Sequence, residues 1–169
     1  MTAAEDLAAD ATREVVRLHE WFQAWFRGEV PASEFGRVAA ALQPTFRMVT
    51  PEGVERDREA VLDGVRAGHG EDADGEPPFV IRVRDTRVRH ATSDHCLVTY
   101  EEWQRRDGAW TGRRSTALFA SEPSAPEGVG WRDLQETWIE ERDEPPTADD
   151  DPAVPTLDPT VESAASGDQ

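Results

Sequence analysis

Tyr100, Glu102, Arg114, Thr116, Glu136 and Trp138 are the residues of this sequence whose types and spacing could do chemistry. A carboxylate enclosed by apolar groups has its pKa raised toward neutrality, where it can act as general acid or base. A guanidinium can orient an anionic substrate or clamp a carboxylate. All six residues fall in segments that alternate with a period of two, so side chains two apart share a face. Tyr100 therefore goes with Glu102, and Arg114 with Thr116. Whether the two pairs share one face depends on the turn at Asp107-Gly108. A two-residue loop sets Tyr100 opposite Ser115 and Glu102 opposite Arg113, whereas a three-residue loop sets Tyr100 opposite Arg114. The expectation is the three-residue loop Arg106-Asp107-Gly108, because it puts glycine where a bulge needs positive φ. It also stacks Cys96 and Val98 beside Thr116 and Leu118 in one apolar layer. The bland alternative is a Glu–Arg pair that satisfies itself at the rim of a sheet and adds little stability.

Other chemistry-bearing residues point less clearly to a site. Of the four histidines, His19, His69, His90 and His95, the last two flank Ala-Thr-Ser-Asp. Asp94 could join them on a metal, but a surface turn is the simpler reading and no metal is expected. His69 lies in a Gly-His-Gly loop and reads as a solvated loop residue or a lid. Arg82, Arg84, Arg87 and Arg89 mark an arginine-rich strand whose partners should be nearby acids. Within the doublets Trp21-Phe22 and Trp25-Phe26, helical spacing assigns Phe22 and Trp25 to the core and leaves Trp21 and Phe26 for a pocket or a partner. There is no phosphate-binding glycine loop, nucleophile elbow or paired CxxC, and no cofactor is expected. Cys96 is the single cysteine, which excludes an internal disulfide.

These residues need elements to hold them. Leu7, Ala11, Val15, Leu18, Phe22 and Trp25 form one face of a long amphipathic helix, ended by Gly28 and Pro31. A shorter helix carries Phe35, Val38, Ala39 and Leu42, with Ser33 as its N-cap and Pro44 closing it. FRMVT (46–50) reads as a strand, Pro51-Glu52-Gly53 as a turn and Val54–Arg56 as a short return strand. A third helix should run from an Asp57 N-cap to Gly68. Four strands follow: Phe79–Arg89, His95–Arg106, Trp110–Ala120 and Trp131–Glu140. Helices followed by a run of strands indicate an α+β fold rather than a parallel α/β sheet.

The 169 residues carry 35 acids against 18 basic residues, a net charge of −17, which makes nucleic acid and anionic membrane poor partners. All 18 basic residues are arginine. Codon bias explains missing lysine but not the carboxylate excess, so the composition points to a halophilic, salt-accumulating cytosol. Glu144–Gln169 holds seven acids, five prolines and no aromatic residue, and it should be a disordered acidic tail. Residues 1–9 are expected to be a partly disordered extension and 10–143 the domain. With no signal-like segment or long apolar run, a cytoplasmic location is expected.

The stretches FRMVTPEGVERDREAVLDGV (46–65), VTYEEWQRRDGAW (98–110) and LQETWI (134–139), in this order of elements, resemble the nuclear transport factor 2-like superfamily. The likeness is nearest to its SnoaL-like members and covers about residues 10–141. It implies a cone: a curved antiparallel sheet packed on N-terminal helices in a cystatin-like roll, with a pocket at the open end. It also implies a homodimer through the outer sheet face. Proteins of this likeness include ketosteroid isomerases, polyketide cyclases, epoxide hydrolases and dehydratases, alongside binding and scaffold domains, so the fold alone does not choose. Within the cone the six residues named first would line an aromatic-walled cup, with Glu102 and Glu136 as candidate acid–base groups. The firmly placed Asp or His of the active isomerases and cyclases is absent. The expected function is therefore a homodimer binding a small molecule without catalysis. The alternative is carboxylate-mediated proton transfer on a small apolar substrate.

Overall fold

A computed structural model describes residues 1–139 and a short strand at Thr156–Leu157. The remainder of the acidic tail expected at 144–169 lies outside the described residues. The chain begins with the long helix α1 (Ala3–Phe26), whose N-cap Thr2 accepts from the Glu5 amide while the Glu5 side chain accepts from the Thr2 amide. This capping box satisfies two orphan donors. Residues 3–9 of the expected extension lie in α1, with Leu7 and Ala8 buried. Val15, Leu18 and Trp25 on the expected stripe are at most 2% exposed, and each such side chain stabilises by roughly 1.5–3 kcal/mol. Gly28 ends the helix at φ 71°.

A 3-10 turn (Ala32–Phe35) leads into the short helix α2 (Gly36–Ala41). Ser33 lies inside that turn, and its cap is Pro31 with no side-chain bond, so the expected Ser33 N-cap does not form. Strand β1 (Leu42–Val49) starts earlier than its pattern suggests and runs through Pro44. A strand tolerates proline where its ladder is interrupted, and the register of β1 shifts between Leu42 and Arg47. Strand β2 (Glu55–Asp57) returns antiparallel to β1. Helix α3 (Arg58–Ala67) follows, with Asp57 capping the Ala60 amide as expected.

Strands β3 (Val80–Ala91), β4 (His95–Arg106), β5 (Ala109–Ser121) and β6 (Val129–Trp138) form the antiparallel meander. The sheet order is β2-β1-β6-β5-β4-β3, with β7 (Thr156–Leu157) added in parallel at the β3 edge. The expected four-stranded sheet is thus larger and mixed, because β1 pairs in parallel with β6. The sheet curls around α1. Glu14, on the buried side of α1 and 0% exposed, accepts from Arg37 at 2.9 and 2.7 Å and from the Trp131 indole at 2.9 Å. Those bonds compensate its desolvation and tie α1 to α2 and β6. No helix among the described residues is long and apolar enough to cross a membrane.

Candidate functional site

The site is set by the turn between β4 and β5. Arg106 pairs with Ala109, so the loop is the two residues Asp107 and Gly108, with φ of 52° and 80°. Positive φ at both central positions is the primed turn whose twist matches that of the strands, and Asp tolerates the left-handed region well enough to supply the first. The three-residue loop expected from the sequence does not form. Tyr100 therefore sits opposite Ser115, and Glu102 opposite Arg113. Cys96 and Val98 meet Phe119 and Ala117 instead of Leu118 and Thr116.

The next strand continues both faces. Ser115 pairs with Glu136 and Arg113 with Trp138. The inner face thus gathers Tyr100, Glu102, Arg113, Ser115 and Glu136, with Trp138 at its edge, 42% exposed. Arg114 and Thr116, expected in the cup, lie on the outer face, where Arg114 bonds Glu101 at 3.0 Å and Thr116 is exposed. A slip of one residue moves a whole set of side chains across the sheet. Arg113 takes the place foreseen for Arg114.

Helix α1 supplies a residue to which the sequence reading gave no role. His19 is 5% exposed, and its Nε2 lies 2.8 Å from Glu102 Oε1. Its Nδ1 lies 2.6 Å from the Val15 carbonyl. A ring that donates from Nδ1 to a carbonyl donates from Nε2 as well only when it is imidazolium. Burial would push the His19 pKa down, but the Glu102 carboxylate overcomes this and holds it raised. Burial likewise works against Glu102, yet His19 and then Arg113 keep it ionised, with a pKa lowered to about 2. The Gln104 amide also donates to Glu102. The signal for His19 was present: it stands four residues after Val15 and three before Phe22, on the apolar stripe.

Glu136 differs from Glu102. Burial, and then the negative charge of Glu102, raise its pKa to about 7 against the pull of Arg113. Arg113 Nη1 is 3.6 Å from Glu136 Oε1, and the Ser115 hydroxyl donates to Oε2 at 3.3 Å. Tyr100 packs edge-on to His19 at 5.3 Å between ring centroids, and burial pushes its phenol well above the ordinary range. These polar groups border a partly open cavity of about 180 Å³, walled by Phe22, Phe46, Met48, Val61, Ile81 and Leu134 among others. Two carboxylates with pKa values driven apart can divide into a fixed anion and a proton carrier near neutrality.

The remaining candidates are placed elsewhere. His69 bonds the Val30 carbonyl at 2.8 Å and packs on Trp25. His95 meets Arg132 at 3.1 Å, and His90 is exposed on β3. Arg84 bonds Glu101 at 2.7 Å and Arg87 bonds Asp85 at 2.9 Å, as an arginine-rich strand beside acids should. Phe22 and Phe26 line the cavity, while Trp21 stacks on Trp25 at 4.9 Å.

A long helix enclosed by a curled mixed sheet, with a cavity between them, is the nuclear transport factor 2-like fold. An NTF-2-like protein of unknown function from Pseudomonas aeruginosa superposes with a TM-score of 0.69 at 24% identity, over 78% of this chain and 99% of that one. The CaMKII hub of S. rosetta does so with a TM-score of 0.57 at 14% identity, over 82% and 98%. Residues 11–140 match the family described as sucrose-6-phosphate phosphohydrolase C-terminal, and the chain belongs to that family. Sucrose-phosphatase 1 of Nicotiana tabacum is 28% identical over 130 residues, 75% of this chain. The chain spans about 30% of the length of that relative.

Proposed function

We propose that this chain is a small-molecule-binding domain, acting without catalysis and as a homodimer, whose ligand sits in the cavity beside Glu102, Arg113 and Glu136. The carrying observation is an apolar cavity of about 180 Å³ with a buried polar cluster on its wall. That size is on the order of the ~150 Å³ cavity that takes up benzene. It suits a ligand of one ring or a short branched chain. Absence of catalysis is favoured because Glu102 is engaged by His19, Gln104 and Arg113, which makes it a weak base.

The reading is tested by screening one-ring compounds by thermal shift and calorimetry on the full chain and on Leu134→Trp, which should fill the cavity. Binding to the parent that is lost in a folded Leu134→Trp supports it; a screen without binders overturns it. A second reading, proton transfer by Glu136, is favoured by its pKa of about 7 beside the cavity. It requires turnover of a bound compound that Glu136→Gln abolishes while binding persists.

The homodimer would use the outer sheet face, where Leu97 and Leu118 stand opposite each other. Light scattering should give twice the chain mass, and Thr116→Arg on the same face should give the monomer. A monomeric parent would remove the dimer from the proposal.

A further inference from the structure

Arg113 is the charged group of the cavity whose hydrogen-bonding capacity is least used. Its side chain is 18% exposed, and its nearest carboxylate oxygens are 3.6 Å away on Glu136 and 3.9 Å away on Glu102. Both distances exceed the ~3.2 Å limit of an ordinary N–H···O bond. Its Nε is buried and has no hydrogen-bond partner among the described residues. A guanidinium has five N–H donors in a fixed fork. Elsewhere in this protein such forks close: Arg37 on Glu14 at 2.9 and 2.7 Å, and Arg106 on Asp72 at 2.9 Å twice.

The reason lies in the two acids. Glu102 gives one oxygen to His19 and the other to Gln104, and Glu136 gives an oxygen to Ser115. Arg113 is held between them by charge without being bonded to either. Trp138 packs over its guanidinium at 5.0 Å. The fork is positioned by its neighbours and left with donors to spare at the cavity wall.

We infer that the ligand is a small monocarboxylate, a single ring or short branched chain bearing one carboxylate, forked on Arg113 with its apolar body against Phe22, Phe46 and Leu134. This rests on the binding reading above and names the ligand class. The charge count agrees. Glu102 and the His19 imidazolium cancel, which leaves Arg113 against Glu136. When Glu136 holds its proton the cluster carries one positive charge, which one carboxylate neutralises, and the Glu136 hydroxyl then becomes a donor to it. A phosphate or sulfate would bring excess negative charge and no apolar body. The groups that face Glu136 are Glu102 on β4, Arg113 and Ser115 on β5, and His19 on α1, with Tyr100 close by. Their balance puts proton release from Glu136 near neutrality, so an anion beside it should bind together with a proton.

The test is calorimetry of the full chain with benzoate, its neutral isostere benzamide, and isobutyrate, at pH 6 and pH 8.5. Benzoate should bind at least tenfold tighter than benzamide at pH 6 and weaken at least tenfold by pH 8.5. At pH 8.5, where Glu136 is otherwise ionised, titration in two buffers of different ionisation heat should show about one proton taken up with the benzoate. Arg113→Gln, checked for folding by circular dichroism, should bind the two isosteres equally. Benzamide binding as well as benzoate, or benzoate binding at pH 8.5 without proton uptake, overturns the carboxylate assignment and leaves the pocket intact. If no carboxylate binds while neutral fragments do, the assignment also fails. If nothing binds at all, the pocket reading itself fails.

Discussion

Replacing Glu136 by glutamine should stabilise the protein at alkaline pH and not at acid pH. The carboxyl has an ordinary pKa of 4.5 when exposed and about 7 when folded. Below pH 4.5 both the folded and the unfolded chain hold the proton, and the group contributes no difference. Between 4.5 and 7 the folded chain holds a proton that the unfolded chain has released, so stability falls as pH rises. Above 7 the loss is complete. At about 1.36 kcal/mol per pH unit, the loss approaches ~3 kcal/mol. Glutamine keeps the shape and never ionises, so the variant avoids that loss.

Melting curves of the parent and of Glu136→Gln should therefore converge near pH 4.5 and diverge above it. With ~2–4 °C per kcal/mol for a domain of this size, the variant should melt roughly 6–12 °C higher at pH 8.5. Differential scanning calorimetry from pH 4 to 9 reads this directly. Parallel curves, or a variant that melts lower at pH 8.5, would show that Glu136 is not held protonated by burial beside Glu102. The general-acid reading and the charge count of the carboxylate site would fail with it.

His19→Ala should cost about 3–5 kcal/mol in urea unfolding, because it leaves the Glu102 carboxylate buried with a lost partner; a cost below 1 kcal/mol would mean that the His19–Glu102 pair is not ionic. Acid titration of the parent should show stability provided by Glu102 lost as pH falls from 4.5 toward its folded value of about 2. Gly112→Ala would place a Cβ 2.8 Å from the Trp103 ring and should destabilise by about 1–3 kcal/mol, read as a lower urea midpoint. With a net charge of −17 and arginine as the sole base, the melting temperature should climb strongly between low and molar potassium chloride; a flat response would return the missing lysine to codon bias.

Much of this architecture was legible because it is local. The stripe on α1, the Asp57 cap and the period-two strands each follow from neighbours in sequence, and the structure has all three. What was not legible depends on partners far along the chain. The parallel pairing of β1 with β6 joins residues more than eighty positions apart and leaves no mark on β1 beyond a proline at its bulge. The loop between β4 and β5 was ambiguous for a different reason. Asp107-Gly108 suits both loop lengths, and the choice rests on Asp107 accepting φ 52°, a preference of a fraction of a kilocalorie that one aspartate does not announce. His19 was overlooked because a histidine on an apolar stripe reads as core until its partner is known.

That small preference has a large consequence, because Arg113 and Arg114 are chemically identical neighbours sent to opposite faces. Arg114, 57% exposed, bonds Glu101 at 3.0 Å, the kind of surface pair that adds little to stability. Arg113 is mostly buried, faces two acids and is hydrogen-bonded to neither. Burying a guanidinium whose N–H groups are not hydrogen-bonded lowers stability, and the ion pairs at 3.6 and 3.9 Å offset that cost less than a closed fork would. The arrangement relieves that penalty only when something else in the cavity accepts the bonds. A bound carboxylate supplies two acceptors and one negative charge at that point, which makes the unfilled donors of Arg113 a reason to expect a ligand and not a flaw in the packing.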